Sequence, residues 1–232
     1  MNYLVIGGSS GIGLALVKKM IAEGHQVFAA SRQKGDLPNE ANFIEFDATG
    51  EVEKLKYELP DVLDGLAYCP GTINLKPFAR LTEADFMEDF KINVLGAVKV
   101  IQIALNALKK SENASVILFS TVAVQVGMGF HSSIATSKGA IEGLTKSLAA
   151  EFSALGIRVN ALAPSLTNTP LAKGLISTPE RIEASEKRHP LGRIGTPEDL
   201  AEAAFFLLSK NSSWITGQII GVDGGMSSIR NF

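Results

Sequence analysis

The chain has little cysteine, no excess of either charge sign and no long hydrophobic run. Cys69 is the single cysteine among 232 residues, so no disulfide forms within the chain. Lys and Arg number 22 against 24 Asp and Glu, a formal net charge of −2. A nucleic-acid surface needs a basic excess or stripe, and a membrane span needs roughly 18 or more consecutive apolar residues. The sequence therefore predicts neither nucleic acid nor a membrane as a partner.

A basic leader, internal repeats and low-complexity tracts are also missing from the sequence. Hydrophobic residues make up 46% of the chain and charged residues 20%, which is the composition of a globular protein that can bury a core. We therefore expect a cytoplasmic protein with one domain over residues 1–232 and no metal site.

Short β-branched runs alternate with longer segments of helical spacing. The runs predict strands at residues 3–6, 26–30, 42–46, 63–68, 115–119, 157–162 and 218–222. The longer segments predict helices at residues 12–23, 52–58, 83–108, 133–154 and 197–208. This alternation predicts the α/β class, as a doubly wound Rossmann fold with a parallel sheet of about seven strands and helices on both faces.

A glycine-rich turn joins the first predicted strand to the first predicted helix. Glycines at this position permit a tight turn and a close approach of the backbone to a pyrophosphate, while the helix N-terminus faces the anion. A merely tight turn is the other interpretation of such a cluster, but its place between strand and helix favours nucleotide binding. The predicted loop residues are Gly7, Ser9, Ser10, Gly11, Ile12 and Gly13.

Two residues after the second predicted strand indicate which dinucleotide binds. This strand end meets the adenosine ribose, where a basic residue favours a 2′-phosphate and an acidic residue a 2′-hydroxyl. The residues here are Ser31 and Arg32, which predicts NADP(H) in preference to NAD(H). The alternative is that Arg32 is a solvated loop cation.

Taken together, the motifs resemble those of the classical short-chain dehydrogenase/reductase family over nearly the whole chain. Residues 6–13 are similar to the family's T-G-x-x-x-G-I-G, with Ile6 in place of the threonine. Residues 160–164 are similar to the segment along the nicotinamide, and residues 190–199 are most similar to the 3-oxoacyl-acyl-carrier-protein reductase branch. The resemblance implies further cofactor contacts from Asp47, Ala48, Cys69, Pro70, Gly71, Lys138, Pro164, Thr167 and Thr169.

The same resemblance implies a catalytic helix on which a tyrosine stands four residues before a lysine. Here the lysine is Lys138, but Ile134 occupies the tyrosine position and has no proton to give. Thr121 stands where the family has its catalytic serine, and Asn93 matches the family's helix asparagine. The general acid of the family is therefore missing from its usual place.

His131 is the leading candidate for a substitute proton donor. It precedes Lys138 by seven residues, the separation at which the related enoyl reductases carry their tyrosine, and histidine titrates near neutrality. A surface loop histidine is the other interpretation of this residue. Ordered water passed along Asn93 and Lys138 is a second possible proton source.

Two functions are consistent with this pattern. The first is an oxidoreductase that transfers a hydride to or from a small-molecule carbonyl or acyl substrate with an atypical proton donor. The second is a nucleotide-binding homologue with little or no dehydrogenase activity, acting as a sensor or partner subunit. The resemblance also implies a homo-oligomer, a tetramer or dimer, and a substrate lid at about 165–189 whose apolar lining would be Leu166, Leu171, Leu175 and Ile176.

Overall fold

A computed structural model describes residues 1–229, and a parallel sheet forms its centre. Within this part of the chain the sheet has seven strands in the order β3-β2-β1-β4-β5-β6-β7, and every neighbouring pair is parallel. The predicted doubly wound fold is confirmed. The strands are β1 (Asn2–Ile6), β2 (Gln26–Ser31), β3 (Asn42–Glu45), β4 (Gly65–Tyr68), β5 (Ser115–Phe119), β6 (Arg158–Pro164) and β7 (Ile219–Val222).

Helices connect these strands and cover the sheet. Short 3₁₀ turns lie at Phe78–Arg80, Ser153–Leu155, Pro170–Ala172 and Lys210–Ser212, and a π-helical turn lies at Lys91–Leu95. The α-helices are α1 (Gly11–Ala22), α2 (Glu53–Glu58), α3 (Glu83–Phe90), α4 (Gly96–Leu108), α5 (Ala123–Val126), α6 (Ser132–Phe152), α7 (Pro179–Glu186) and α8 (Pro197–Leu208).

Side chains that alternate along the strands separate the core into two layers. Leu4 and Ile6 of β1 belong to the layer that contains Val100 of α4. Tyr3 and Val5 point to the opposite layer, which contains residues of α1 and α8. Both faces of the sheet are therefore buried, which explains why the strands are continuous apolar runs.

The strand order creates one crevice at the carboxyl edge of the sheet. The chain passes from β1 outward through β2 to β3 and then returns to β4 on the other side of β1. Loops that leave β1 and β4 consequently diverge, and ligands of such folds bind in the gap between them. The glycine loop follows β1 and Cys69 follows β4, so both predicted cofactor segments lie at this gap.

The predicted continuous helix over residues 83–108 is wrong in one detail, because a π-helical turn separates α3 from α4. The hydroxyl of Tyr68 donates to the Ile92 carbonyl at 2.6 Å. Gly96 makes room for this hydroxyl, since a Cβ there would lie 2.1 Å from Tyr68 Oη. Such π turns are frequent at functional sites, and this one contains Asn93.

The same helical segment, residues 83–108, is also long and apolar enough to cross a membrane by length and composition, and half of its most apolar stretch is buried within the fold. Its buried residues, including Val94, Val100 and Ile101, pack in the same core layer as β1 and β4. Packing against the sheet therefore accounts for its apolar character.

Two further helices escaped the sequence analysis. Helix α5 has four residues, and α7 lies inside the predicted lid. The apolar content of α7 is low, and its start is defined by Thr178, whose side chain accepts a hydrogen bond from the Arg181 N–H, followed by a proline. A period-based prediction depends on apolar repeats and therefore overlooks it.

We predict that Gly96→Ala destabilises the protein by about 2 kcal/mol, because the new methyl group overlaps the Tyr68 hydroxyl. In a Tyr68→Phe background the same change should cost about 1 kcal/mol less. Urea unfolding of the four proteins measures the coupling. Gly143→Ala is the control: nothing lies within 4 Å of that Cβ position, so the better helix former should stabilise α6. If Gly96→Ala lowered the free energy of unfolding equally in both backgrounds, the predicted overlap with the Tyr68 hydroxyl would be contradicted.

Candidate active site

A cavity of about 320 Å³ opens at the carboxyl edge of the sheet. Its walls come from the loops after β1, β4, β5 and β6, from the start of α6 and from the lid. The structure therefore brings together many of the predicted site residues in one cavity. These are Ile12, Cys69, Gly71, Thr121, His131, Lys138, Pro164, Thr167 and Thr169.

The glycine loop lies beside this cavity and needs its glycines. Gly7 and Gly11 have φ of +76° and +52°, a region that side chains disfavour. A Cβ on Gly13 would lie 2.2 Å from the Gly7 carbonyl oxygen, so no side chain fits there. Glycine spacing thus sets the shape of the turn.

Two of these glycines lie against other predicted cofactor segments. A Cβ at Gly7 would lie 3.2 Å from Pro70 N, and one at Gly11 would lie 3.4 Å from the Thr169 side chain. The loop after β1 is therefore in contact with the loop after β4 and with the start of the lid. A dinucleotide along the glycine loop would meet both.

The N-terminus of α1 has the form of an anion site. Helices α3, α7 and α8 begin with the capping side chains of Thr82, Thr178 and Thr196, whereas α2, α4, α5 and α6 start without a side-chain cap. Ser10 at the start of α1 makes no such side-chain hydrogen bond. The first N–H groups of α1 thus have no side-chain cap and suit a phosphate, so the residues present fit a dinucleotide.

The predicted adenosine end lies outside the cavity, at the ends of β2 and β3. Ser31 is buried and its hydroxyl donates to the Gln33 carbonyl at 2.9 Å, while Arg32 is exposed. Hydrogen bonds from Thr49, together with the charge of Arg32, lower the pKa of Asp47. Asp47 is therefore ionised beside Arg32 where the adenosine would bind.

Lys138 is the buried cation of the cavity. Its ammonium donates to the Phe119 carbonyl at 2.8 Å. Burial lowers the pKa of Lys138 to about 8, although the charge of Asp89 opposes the shift. A lysine so perturbed, within a cavity at the switch of strand order, is a typical functional residue.

Asn93 lies next to Lys138 with one atom unsatisfied. Its amide nitrogen donates to the Asp89 carbonyl at 2.8 Å and to the Thr72 hydroxyl at 2.9 Å. Among the described residues, Asn93 Oδ1 is the single buried side-chain polar atom without a partner. Gly71 leaves space beside it, because a Cβ there would lie 3.4 Å from Oδ1 and 3.6 Å from Lys138 Nζ. Such an orphaned acceptor indicates a missing water or ligand.

The apolar residue at the predicted tyrosine position faces the cavity. Ile134 is buried and lies one helical turn before Lys138 on α6. Thr121 Oγ1 accepts from the Ala123 N–H at 3.3 Å, which leaves its hydroxyl proton for another acceptor. His131 stands at the N-cap position of α6 without a side-chain cap bond, and its Nδ1 lies 2.7 Å from the Gly129 carbonyl. Its Nε2 is thereby the ring nitrogen left for the cavity.

Cys69 has no nucleophilic character in this setting. Desolvation raises the pKa of its thiol to about 12, and the nearby Lys138 charge only partly opposes this. The thiol therefore stays protonated. Within residues 1–229, no group of three or more His, Cys, Asp and Glu side chains is placed to hold a metal ion.

Sequence reasoning missed a polar network behind the site. Asp89 is buried, and its carboxylate accepts from the hydroxyls of Thr72 and Ser133, each at 2.5 Å. The separation of Asp89 and Asn93 by four residues on one helix was a usable signal, whereas the two hydroxyls come from distant segments. The network fixes which way the Asn93 amide points.

The cavity wall also contains polar residues of the lid and of the loop after β5 that were not predicted, namely Ser120, Ser165, Ser185, Arg188 and His189. Among the predicted apolar lid residues, Leu166, Leu171 and Leu175 line the cavity. The prediction for Ile176 is wrong: this half-buried residue is not part of the lining, since the chain turns between it and α7.

Known proteins resemble this chain over nearly its whole length. A family model described as enoyl-(acyl carrier protein) reductase matches residues 7–227. A tropinone reductase homologue of Arabidopsis thaliana is 33% identical over 98% of this chain and 93% of its own length. The 3-oxoacyl-acyl-carrier-protein reductase FabG of Thermotoga maritima is 32% identical over 96% of both chains.

Solved structures match over the same extent. A short chain dehydrogenase family protein from Francisella tularensis superimposes with a TM-score of 0.92 at 29% identity, over 98% of this chain and 99% of the other. ElxO with NADP bound has a TM-score of 0.88 at 26% identity, over 98% and 99% of the two chains. The chain belongs to the short-chain dehydrogenase/reductase family, whose members are NAD(P)-binding oxidoreductases.

We predict that Lys138→Met stabilises the protein by about 2 kcal/mol at pH 7, because it removes a buried charge. Below a folded-state pKa of about 8 the ammonium opposes folding in full. As pH rises from there toward the ordinary value of 10.5, only the unfolded chain still binds the proton, so the native protein gains stability and the advantage of the variant shrinks.

Urea unfolding at pH 7 and pH 10 measures this effect. Lys146→Met, at an exposed position of the same helix, is the matched control and should change stability little at either pH. A Lys138→Met protein that is less stable than the wild type at pH 7 would contradict the claim that the buried Lys138 ammonium destabilises the fold.

Proposed function

We propose that the protein is an NADP(H)-dependent reductase that transfers a hydride to the carbonyl carbon of a ketone or oxoacyl substrate, with His131 as proton donor. The observation that carries this proposal is that one cavity contains Lys138, Thr121 and His131 around the apolar Ile134. The site thus retains a cation, a hydroxyl and a titratable group where the family tyrosine is missing.

The chain's own residues would bind the dinucleotide along the carboxyl edge of the sheet. The uncapped N-terminus of α1 suits the pyrophosphate, and Arg32 suits a 2′-phosphate. Lys138 and the segment from Pro164 to Thr169 lie where the nicotinamide half would reach. The bound nicotinamide supplies or accepts the hydride.

Thr121 is the group suited to orient the substrate oxygen. Its Oγ1 already accepts from a backbone N–H, so the hydroxyl proton can be donated to a carbonyl oxygen. Its branched Cβ restricts the side-chain rotamer and narrows the cavity relative to a serine. Such a donor stabilises the negative charge that develops on oxygen during reduction.

His131 is suited to deliver the proton. Its Nδ1 is directed at the Gly129 carbonyl, which accepts only, so this nitrogen carries a hydrogen. In the imidazolium form the second proton is on Nε2, which can transfer it to the developing alkoxide. A water held between Asn93 Oδ1 and Lys138 is the other candidate route, because Oδ1 lacks a partner and the two side chains meet beside Gly71.

The relatives support a carbonyl substrate without naming one for this chain. Their descriptions include a tropinone reductase homologue and a 3-oxoacyl-acyl-carrier-protein reductase. The matching family model is described as an enoyl-(acyl carrier protein) reductase. The seven-residue separation of His131 from Lys138 resembles the separation of tyrosine and lysine in enoyl reductases. An apolar wall that includes Leu166, Leu171 and Leu175 suits an acyl or aliphatic chain.

We predict that Arg32→Ala weakens NADPH binding about tenfold or more and leaves NADH binding nearly unchanged, because charge-assisted bonds to the 2′-phosphate are lost. Fluorescence titration of the protein with each nucleotide measures the effect. Lys18→Ala, an exposed cation on α1, should change neither affinity. A wild-type preference for NADH would contradict the role of Arg32.

We also predict that His131→Phe lowers the rate of ketone reduction about a hundredfold while NADPH binding is retained, because the proton donor is lost. In the wild type the reduction rate should fall as rising pH removes the donor's proton, and the variant should lose this dependence. Single-turnover oxidation of NADPH measures both.

Full activity of the variant, with the wild-type pH profile, would exclude His131 as the donor. A wild-type protein that binds NADPH tightly and reduces no carbonyl substrate would instead favour the second function, a nucleotide-binding homologue without dehydrogenase activity. The apolar Ile134 at the tyrosine position is the observation that supports this second function.

A further inference from the structure

The lid side of the cavity contains a hydrogen-bonded pair that the proposed reaction does not use. His189 is only 4% exposed, and its Nε2 lies 2.8 Å from Ser165 Oγ. Its Nδ1 lies 2.7 Å from the Ser185 carbonyl. All three residues line the cavity. Because a carbonyl only accepts, Nδ1 carries a hydrogen. The direction of the hydrogen bond to Ser165 therefore depends on whether Nε2 is also protonated.

The protonation state of His189 decides what Ser165 offers to the cavity. In the neutral imidazole, Nε2 is an acceptor and takes the single hydroxyl proton of Ser165, which leaves only oxygen lone pairs. In the imidazolium, Nε2–H donates to Ser165 Oγ, and the hydroxyl proton becomes free to donate into the cavity. Protonation of His189 thus converts Ser165 from an acceptor into a donor.

Ser185 joins this pair to a permanent positive charge. Its carbonyl binds His189, and its buried hydroxyl oxygen accepts from the Arg188 guanidinium at 2.9 Å. Arg188 also lines the cavity. A guanidinium and a hydroxyl donor anchored on the same serine are the groups that bind the two oxygens of a carboxylate.

The charges on the cavity wall favour an anionic ligand. Asp223 lies near His189 but does not line the cavity. Burial raises the pKa of this carboxyl, but hydrogen bonds from Ser227 and Gly225 outweigh it, so the pKa is lowered and Asp223 stays ionised. Within the described part of the chain the cavity lining contains no Asp or Glu, whereas His131, Lys138, Arg188 and His189 belong to it.

We propose that Ser165, His189 and Arg188 bind a carboxylate of the substrate, with uptake of a proton by His189, so that the substrate class is an aliphatic oxo acid. The carboxylate end of the substrate is inferred from these contacts alone. The carbonyl end rests on the proposed function, since the carbonyl must reach Thr121. The leucine-rich wall between the two ends suits the aliphatic chain.

Kinetics with matched substrates test the carboxylate. The probes are straight-chain oxooctanoates that carry the ketone at successive carbon atoms, and the methyl ester of each. We expect KM for the best oxo acid to be about tenfold lower than for its ester. KM for the acid should rise with pH while KM for the ester stays flat. Equal KM values for acids and esters at pH 7 would overturn the proposal.

Variants separate binding from the reaction itself. Ser165→Ala and Arg188→Gln should each raise KM for the oxo acid about tenfold, with kcat changed less than twofold and the ester unaffected. Lys187→Gln removes the neighbouring lid charge, which pairs with Glu183 at 2.7 Å on the surface, and should change neither value. An unchanged KM for the acid in Ser165→Ala would exclude the serine, whether or not a His189 variant folds.

Calorimetry tests the proton without any turnover. The oxo acid is titrated into the protein with bound NADP at pH 8, in two buffers of different ionisation enthalpy. We expect net proton uptake by the wild type, because the imidazolium frees the Ser165 hydroxyl to donate, and little uptake for Ser165→Ala or for the methyl ester. Binding without proton uptake would overturn the proposal. A protein that binds the oxo acid with proton uptake and reduces no ketone would leave this site standing while the proposed function fails.

Discussion

Parallel pairing of the strands is the constraint on which the rest of the molecule depends. Because every strand of the described sheet runs in the same direction, all loops that follow the strands meet at one edge. Gly7 thereby contacts Pro70, and Gly11 contacts Thr169, across more than a hundred residues of sequence in the second case. The cavity, its cation and its lid all lie at this edge.

The site is assembled at a cost to the stability of the fold. Lys138 is an ammonium in a desolvated place with a backbone carbonyl as its partner, and Asn93 presents an unpaired oxygen beside it. Neither arrangement helps the apo protein to fold. Both are explained by a ligand that brings hydroxyls and phosphates to this edge, and both are supported from behind by the buried Asp89 network. Ile134 fits the same picture, since an apolar side chain at that point excludes water from the reacting end of the cavity.

Local patterns predicted the scaffold, and long-range contacts determined the rest. Apolar runs and glycine spacing are properties of neighbouring residues, so the strands, the loop after β1 and the position of Lys138 were accessible from the sequence. The π-helical turn was not, because it depends on Tyr68 meeting Ile92 and Gly96 from another element. The Ser165–His189 pair was hidden for the same reason: the two residues lie 24 positions apart, and no local pattern joins them. Helix α7 was overlooked because its capping threonine and proline, and not an apolar stripe, define it.

The proposed reaction requires that the cavity still positions a carbonyl beside the α6 face from which the family tyrosine is missing. Placing a tyrosine there in a protein that lacks the substitute donor tests it most directly, with NADPH-dependent ketone reduction measured for Ile134→Tyr in the His131→Phe background. We expect the hydroxyl, one helical turn from Lys138, to restore the rate by about a hundredfold over His131→Phe alone. No recovery, in a double variant that folds and binds NADPH as the wild type does, would contradict it.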